Sequence, residues 1–111
     1  MGTQPTKDFT QVTFDGEVQR LIVRRDEAYS LSQRYETQII GLNKQIDNAT
    51  PLATTKKGIE ALGQLKVRLT SVTDERDAAF EQYMELDDDL RIKVPNAEMR
   101  TAYEKKFSKH M

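Results

Sequence analysis

Apolar and small side chains recur along this chain at alternating steps of three and four, in two long runs separated by a short break. The first run is Val18, Leu21, Arg25, Ala28, Ser32, Tyr35, Ile39, Leu42 and Ile46. The second is Leu62, Leu65, Leu69, Val72, Arg76, Ala79, Tyr83, Leu86 and Leu90. That spacing keeps each run on one seam of an α-helix. It predicts a first helix from Asp15, a plausible N-cap, to about Asn48. A second begins at Thr50-Pro51 or nearer Thr54-Thr55 and ends near Ile92. The break is short, so the helices must fold back on each other. Placing Ile46 opposite Leu62 sets Leu42 on Leu65, Ile39 on Leu69, Tyr35 on Val72, Ser32 on Arg76, Ala28 on Ala79, Arg25 on Tyr83, Leu21 on Leu86 and Val18 on Leu90. The expected fold is all-α: a long, coiled-coil-like antiparallel hairpin over residues 15–93.

Two further segments flank the hairpin. Residues 1–14 are expected to form a flexible or extended arm. Val12 and Phe14 alternate with polar residues there, and β-branched residues are frequent; Phe9, Val12 and Phe14 are its candidate anchors. After the helix-ending Val94-Pro95-Asn96, residues 94–111 are expected to hold a short third helix, roughly Ala97 to Lys109. Its apolar stripe is Met99, Tyr103, Phe107 and Met111. Ile22, Tyr29, Phe80 and Met84 lie off the hairpin seam, toward its open end. The third helix and the N-terminal arm are expected to pack on them, or to reach another protein with them.

Two pentads in the middle share a form, Arg25-Asp26-Glu27-Ala28-Tyr29 and Arg76-Asp77-Ala78-Ala79-Phe80. The expected role of Arg25 and Arg76 is a polar layer that sets register, their stems packing over small Ala residues. If that is their whole role, Arg25→Leu or Arg76→Leu should be neutral or stabilising. A competing reading makes the arginines a patch for an acidic partner.

Composition narrows the function classes. The 111 residues carry 17 basic and 18 acidic side chains, so no strong pull toward nucleic acid or an anionic membrane is expected. Hydrophobic residues make up 37% and charged residues 32%, a balance that suits amphipathic helices with one buried stripe. There is no cysteine and hence no disulfide or thiol chemistry. The polar N-terminus does not resemble a signal peptide, and its partial match to a myristoylation pattern reads as chance. So does the glycosylation triplet Asn48-Ala49-Thr50. The expectation is a cytoplasmic protein, or one held in a virion or another large assembly.

Candidate chemistry is thin. Glu81, Glu85, Asp87, Asp88 and Asp89 make an acidic run without a glycine-bearing calcium loop. It reads as a solvated face, with docking of a protein partner by Asp87, Asp88 and Asp89 as the sharper alternative. Lys56, Lys57, Arg100, Lys105, Lys106 and Lys109 make two mildly basic spots without exposed interleaved aromatics, so nucleic acid is not an expected partner. The lone His110 is a poor base or ligand. No nucleophile with a nearby histidine, phosphate loop or metal-ligand pair stands out, and neither an enzyme nor a cofactor is expected.

The leading expectation is a helical protein–protein interaction or assembly protein, acting on copies of itself, with a homodimer as one form, or on a larger complex. Its candidate contact residues are Ile22, Tyr29, Phe80, Met84, Tyr103, Phe107 and the Asp87–Asp89 run. The alternative is a small folding chaperone: two long antiparallel helices and a shorter third are similar in layout to tubulin cofactor A, and the hairpin alone resembles a prefoldin subunit. This similarity covers most of the chain, rests on layout rather than a motif, and assigns no residue a role. A third class is a regulator that occludes a partner's surface with its acidic run.

Overall fold

The computed structural model describes the backbone of residues 3–108 and the side chains of residues 10–108. The fold is all-α. Helix α1 spans Thr3–Ala49, a 3₁₀ turn spans Thr50–Leu52, α2 spans Lys56–Lys93 and α3 spans Ala97–Phe107. The chain divides into two compact units, one of residues 1–28 and 82–111, the other of residues 29–81.

The unit of residues 29–81 is a helical hairpin. Its core joins Ile39, Leu42 and Val72, with Tyr35, Leu65 and Leu69 packed around them. These are the side chains that the layers Leu42–Leu65, Ile39–Leu69 and Tyr35–Val72 predict. The turn explains the break in the pattern. Pro51 falls in the first turn of the 3₁₀ segment, where its missing N–H costs nothing. The Thr50 hydroxyl donates to the Ile46 carbonyl at 2.7 Å and relieves one loose end of α1. Thr55 starts α2: its hydroxyl accepts from the Gly58 N–H at 3.1 Å and its carbonyl from the Ile59 N–H at 2.9 Å. Gly58 is needed there. A Cβ would lie 2.9 Å from the Leu52 carbonyl oxygen and 3.2 Å from the Ala53 Cα, both backbone atoms.

The other unit is a three-helix core. Val18, Ile22, Leu90 and Val94 are its buried centre, and Phe14, Leu21, Tyr103 and Phe107 close over it. Here α1 and α2 run antiparallel, since Glu17 pairs with Lys93 while Arg25 pairs with Asp87. Helix α3 runs alongside α1 in the same direction, with Tyr103 at Asp15 and Ser108 at Asp26. The corner Val94-Pro95-Asn96 sends α3 back. Pro95 halts α2, and the Asn96 side chain accepts from the Met99 N–H at 2.9 Å, capping α3.

The arm expected over residues 1–14 is helical from Thr3 onward instead. Helix α1 begins at Thr3 and runs through the alternating Val12–Phe14 stretch. Local β-propensity is a weak prior, and extending an existing helix gains a hydrogen bond for each residue ordered. Pro5 falls in the first turn, where it is tolerated. Phe14 makes a tilted ring contact with Tyr103 at 6.2 Å, so the segment packs as a helix. Val12 points outward and anchors nothing. The Phe9 side chain, Lys109, His110 and Met111 lie outside the described residues. Every one of the eighteen seam positions is buried or half-buried.

Candidate functional site

The densest polar arrangement is centred on Arg25. Its side chain is buried, yet its guanidinium meets three carboxylates. Nη1 donates to Asp87 Oδ1 at 3.1 Å and to Glu104 Oε2 at 2.7 Å. Nε and Nη2 both donate to Asp26 Oδ1, at 3.2 and 3.1 Å. One side chain thereby ties α1 to α2 and α3. The carboxylates continue outward: Asp87 Oδ2 accepts from Arg91 Nε at 2.9 Å, and Asp26 Oδ2 accepts from the Ser108 hydroxyl at 2.5 Å. Burial disfavours the charge on Arg25, but Glu104 and Asp26 outweigh it and hold the guanidinium more firmly protonated than usual. Burial also pushes Asp87 upward, and the hydrogen bonds from Arg91 and Arg25 overcome it, leaving the carboxyl below the usual range.

A second clasp is made by Tyr103, the residue before Glu104 on α3. The Tyr103 hydroxyl donates to Asp15 Oδ1 at 2.6 Å, and Gln11 Nε2 donates to the same oxygen at 2.9 Å. Both bonds hold the Asp15 carboxyl below the usual range, and the bond to Asp15, with burial, pushes the Tyr103 phenol up. Asp15 is therefore not the N-cap its position suggested: it lies within α1 and anchors α3.

The two Arg pentads share one local contact and differ beyond it. Arg76 also grips its sequence neighbour, Asp77 Oδ1, at 3.1 and 2.9 Å. Its Nη1 then reaches Glu36 Oε2 at 2.7 Å, in half-exposed surroundings. Nearby Ser32 is buried and donates to the Tyr29 carbonyl at 2.7 Å. Arg76 suits a register-setting layer. Arg25 does more, since it is the shared cation of three acids, and a neutral outcome for Arg25→Leu is no longer expected.

The predicted contact residues separate into two groups. Ile22 is fully buried, and Tyr103 and Phe107 pack against its cluster, so these three build the core of their own chain. Asp87 is engaged by two arginines, while Asp88 and Asp89 are exposed. Tyr29, Phe80 and Met84 are exposed, as is Met99, whose place on the α3 stripe had suggested packing.

One surface escaped the sequence reading. On the side of α2 opposite its seam, Glu60, Gly63, Gln64, Val67, Arg68 and Ser71 line a shallow groove. Val67 is 71% exposed and Ile59, one turn before Gly63, 58%. Two isolated apolar residues make no periodic signal. Only the bare backbone at Gly63 between them marks the groove.

Among the described residues no group of three or more His, Asp or Glu side chains is placed to hold a metal ion. Nor is any helix among them long and apolar enough to cross a membrane. No family model, curated protein or solved structure matches the chain.

Proposed function

We propose that this chain is a non-enzymatic helical interaction protein that works by docking onto other protein within an assembly, in the cytoplasm or inside a larger particle. The observation that carries the reading is the contrast between its two kinds of apolar surface. Seam and core positions are closed by the chain's own helices. Ile40, Ile59 and Val67 stand more than half exposed on otherwise charged helices. Val67 lines the α2 groove among polar and charged side chains, an apolar point within a polar rim that suits a protein contact. The acidic-regulator reading loses ground because Asp87 is committed to Arg25 and Arg91.

The test is photo-crosslinking in the native host, with a benzophenone amino acid placed at Ile40 or at Val67. A stoichiometric adduct of defined mass at either position supports docking. Uncrosslinked monomer at both positions refutes it. A second reading has one specific observation behind it: Leu52, at the tip of the turn, is 73% exposed, as suits a tip that touches unfolded clients. Suppression of client aggregation by the purified chain, lost in Leu52→Ser, would favour that chaperone activity.

A further inference from the structure

The outer face of α2 has a pattern that fits a copy of itself. At steps of four it reads Ile59, Gly63, Val67, Ser71: large, absent, large, small. Two such faces laid antiparallel, about a two-fold axis at the level of residue 65, match at every step. Val67 of each copy enters the gap at Gly63 of the other, and Ile59 lies over Ser71. The charges agree with the same axis. Lys56 and Asp74 are both exposed, and they are eighteen residues apart, about five helical turns, so they share a bearing on α2. The axis sets each Lys56 against the other copy's Asp74, closing both ends of the contact with opposite charges. Between them Glu60 falls level with Thr70, and Gln64 with Lys66, so no layer opposes like charges. Gly63 leaves the backbone open, since a Cβ there would have nothing within 4 Å. That openness gives a second helix room for close approach.

We propose that residues 56–74 of α2 form a homodimer interface, an antiparallel helix pair centred at residue 65. The occupant of the groove is then the same groove on a second copy. The contact spans about 27 Å at ~1.5 Å per residue, which suits a small, reversible interface rather than an obligate one. This inference rests on the reading of the chain as an interaction protein and names its partner.

The test is light scattering on the 111-residue chain on a sizing column at low salt, over about 5 to 500 μM, a range that brackets a micromolar dissociation constant. The mass is expected to rise from 12.8 kDa toward twice that. Lys56→Asp and Asp74→Lys should each raise the dimer dissociation constant at least tenfold, and the two together should bring it back to within about threefold of the parent. Gly63→Leu should abolish the dimer without loss of helicity, since it fills the gap on both copies and improves helix propensity. A monomer throughout the range overturns the proposal. So does a dimer indifferent to Gly63→Leu, or one that the double charge exchange fails to restore. None of these three results touches the crosslinking test, which still reads out a different partner.

Discussion

Replacing Arg25 with leucine removes the shared cation and leaves three acids facing one another. The side chains of Asp26, Asp87 and Glu104 are only 13%, 22% and 21% exposed, so water screens them incompletely. Removing one partner of a buried ion pair typically costs about 3–5 kcal/mol. Two features lower that figure here. Asp87 keeps Arg91, and the remaining carboxylates can turn partly outward. A loss of about 2–3 kcal/mol is expected, consistent with the ~1.5–3 kcal/mol of a hydrogen bond to a charged group. At roughly 4 °C per kcal/mol for a domain of this size, the melting temperature should fall by about 10 °C. Urea titration followed by circular dichroism at neutral pH measures the loss directly. The mechanism adds a signature: Glu104→Gln in the Arg25→Leu background should return part of the stability, and so should ~1 M salt, by relieving the repulsion. Stability within ~0.5 kcal/mol of the parent, or no recovery in the double variant, would show that Arg25 is a register device and nothing more.

Acid should loosen the same unit. Asp15 and Asp87 both have carboxyls held below the usual range in the folded chain. A depressed pKa contributes stability that is complete above the unfolded value of about 4 and is lost as pH falls through the folded value. Unfolding measured from pH 6 down to pH 2 should show this decline, and Asp15→Asn should flatten it. Ile39→Asp or Leu69→Asp places a charge without a partner in the core of the hairpin unit and should cost more than about 3 kcal/mol in urea titration. Gly41→Ala, where a Cβ meets nothing within 4 Å, should raise stability by about 1 kcal/mol. Gly58→Ala should lower it by about 1–3 kcal/mol in the same titration, because its Cβ meets backbone.

Much of this fold was legible in the order of residues, and the reasons for the failures differ. The seam could be read because every third or fourth position, from Val18 to Ile46 and from Leu62 to Leu90, obeys one rule that local chemistry cannot hide. Pro95 announced the end of α2, and the four-residue spacing of Met99, Tyr103 and Phe107 announced α3, in the same local way. The helical state of residues 3–14 could not be read. Val12, Thr13 and Phe14 favour extension by themselves, and what holds them is α1 propagation and Tyr103, about ninety positions away. Arg25 and Arg76 stand in matching pentads and grip their next-door aspartates alike. Their difference lies in Glu104 and Asp87, which the pentad does not contain. The α2 groove depends on what is missing at Gly63, and a missing side chain leaves little trace in a hydrophobic pattern.

The clasp at Arg25 and Asp26 also sets an order of events in time. The hairpin unit closes through partners such as Glu36 and Arg76, near neighbours on the scale of this chain. The three-helix unit closes through Tyr103 with Asp15 and Glu104 with Arg25, pairs separated by 88 and 79 residues. Local closures are fast and distant ones slow. During synthesis at ~5–20 residues per second, Ile22 must wait about 4–17 seconds for Phe107 to be made. For that interval a nascent chain presents Val18 and Ile22 without their full cover, and other nascent copies on the same message present the same surface beside it.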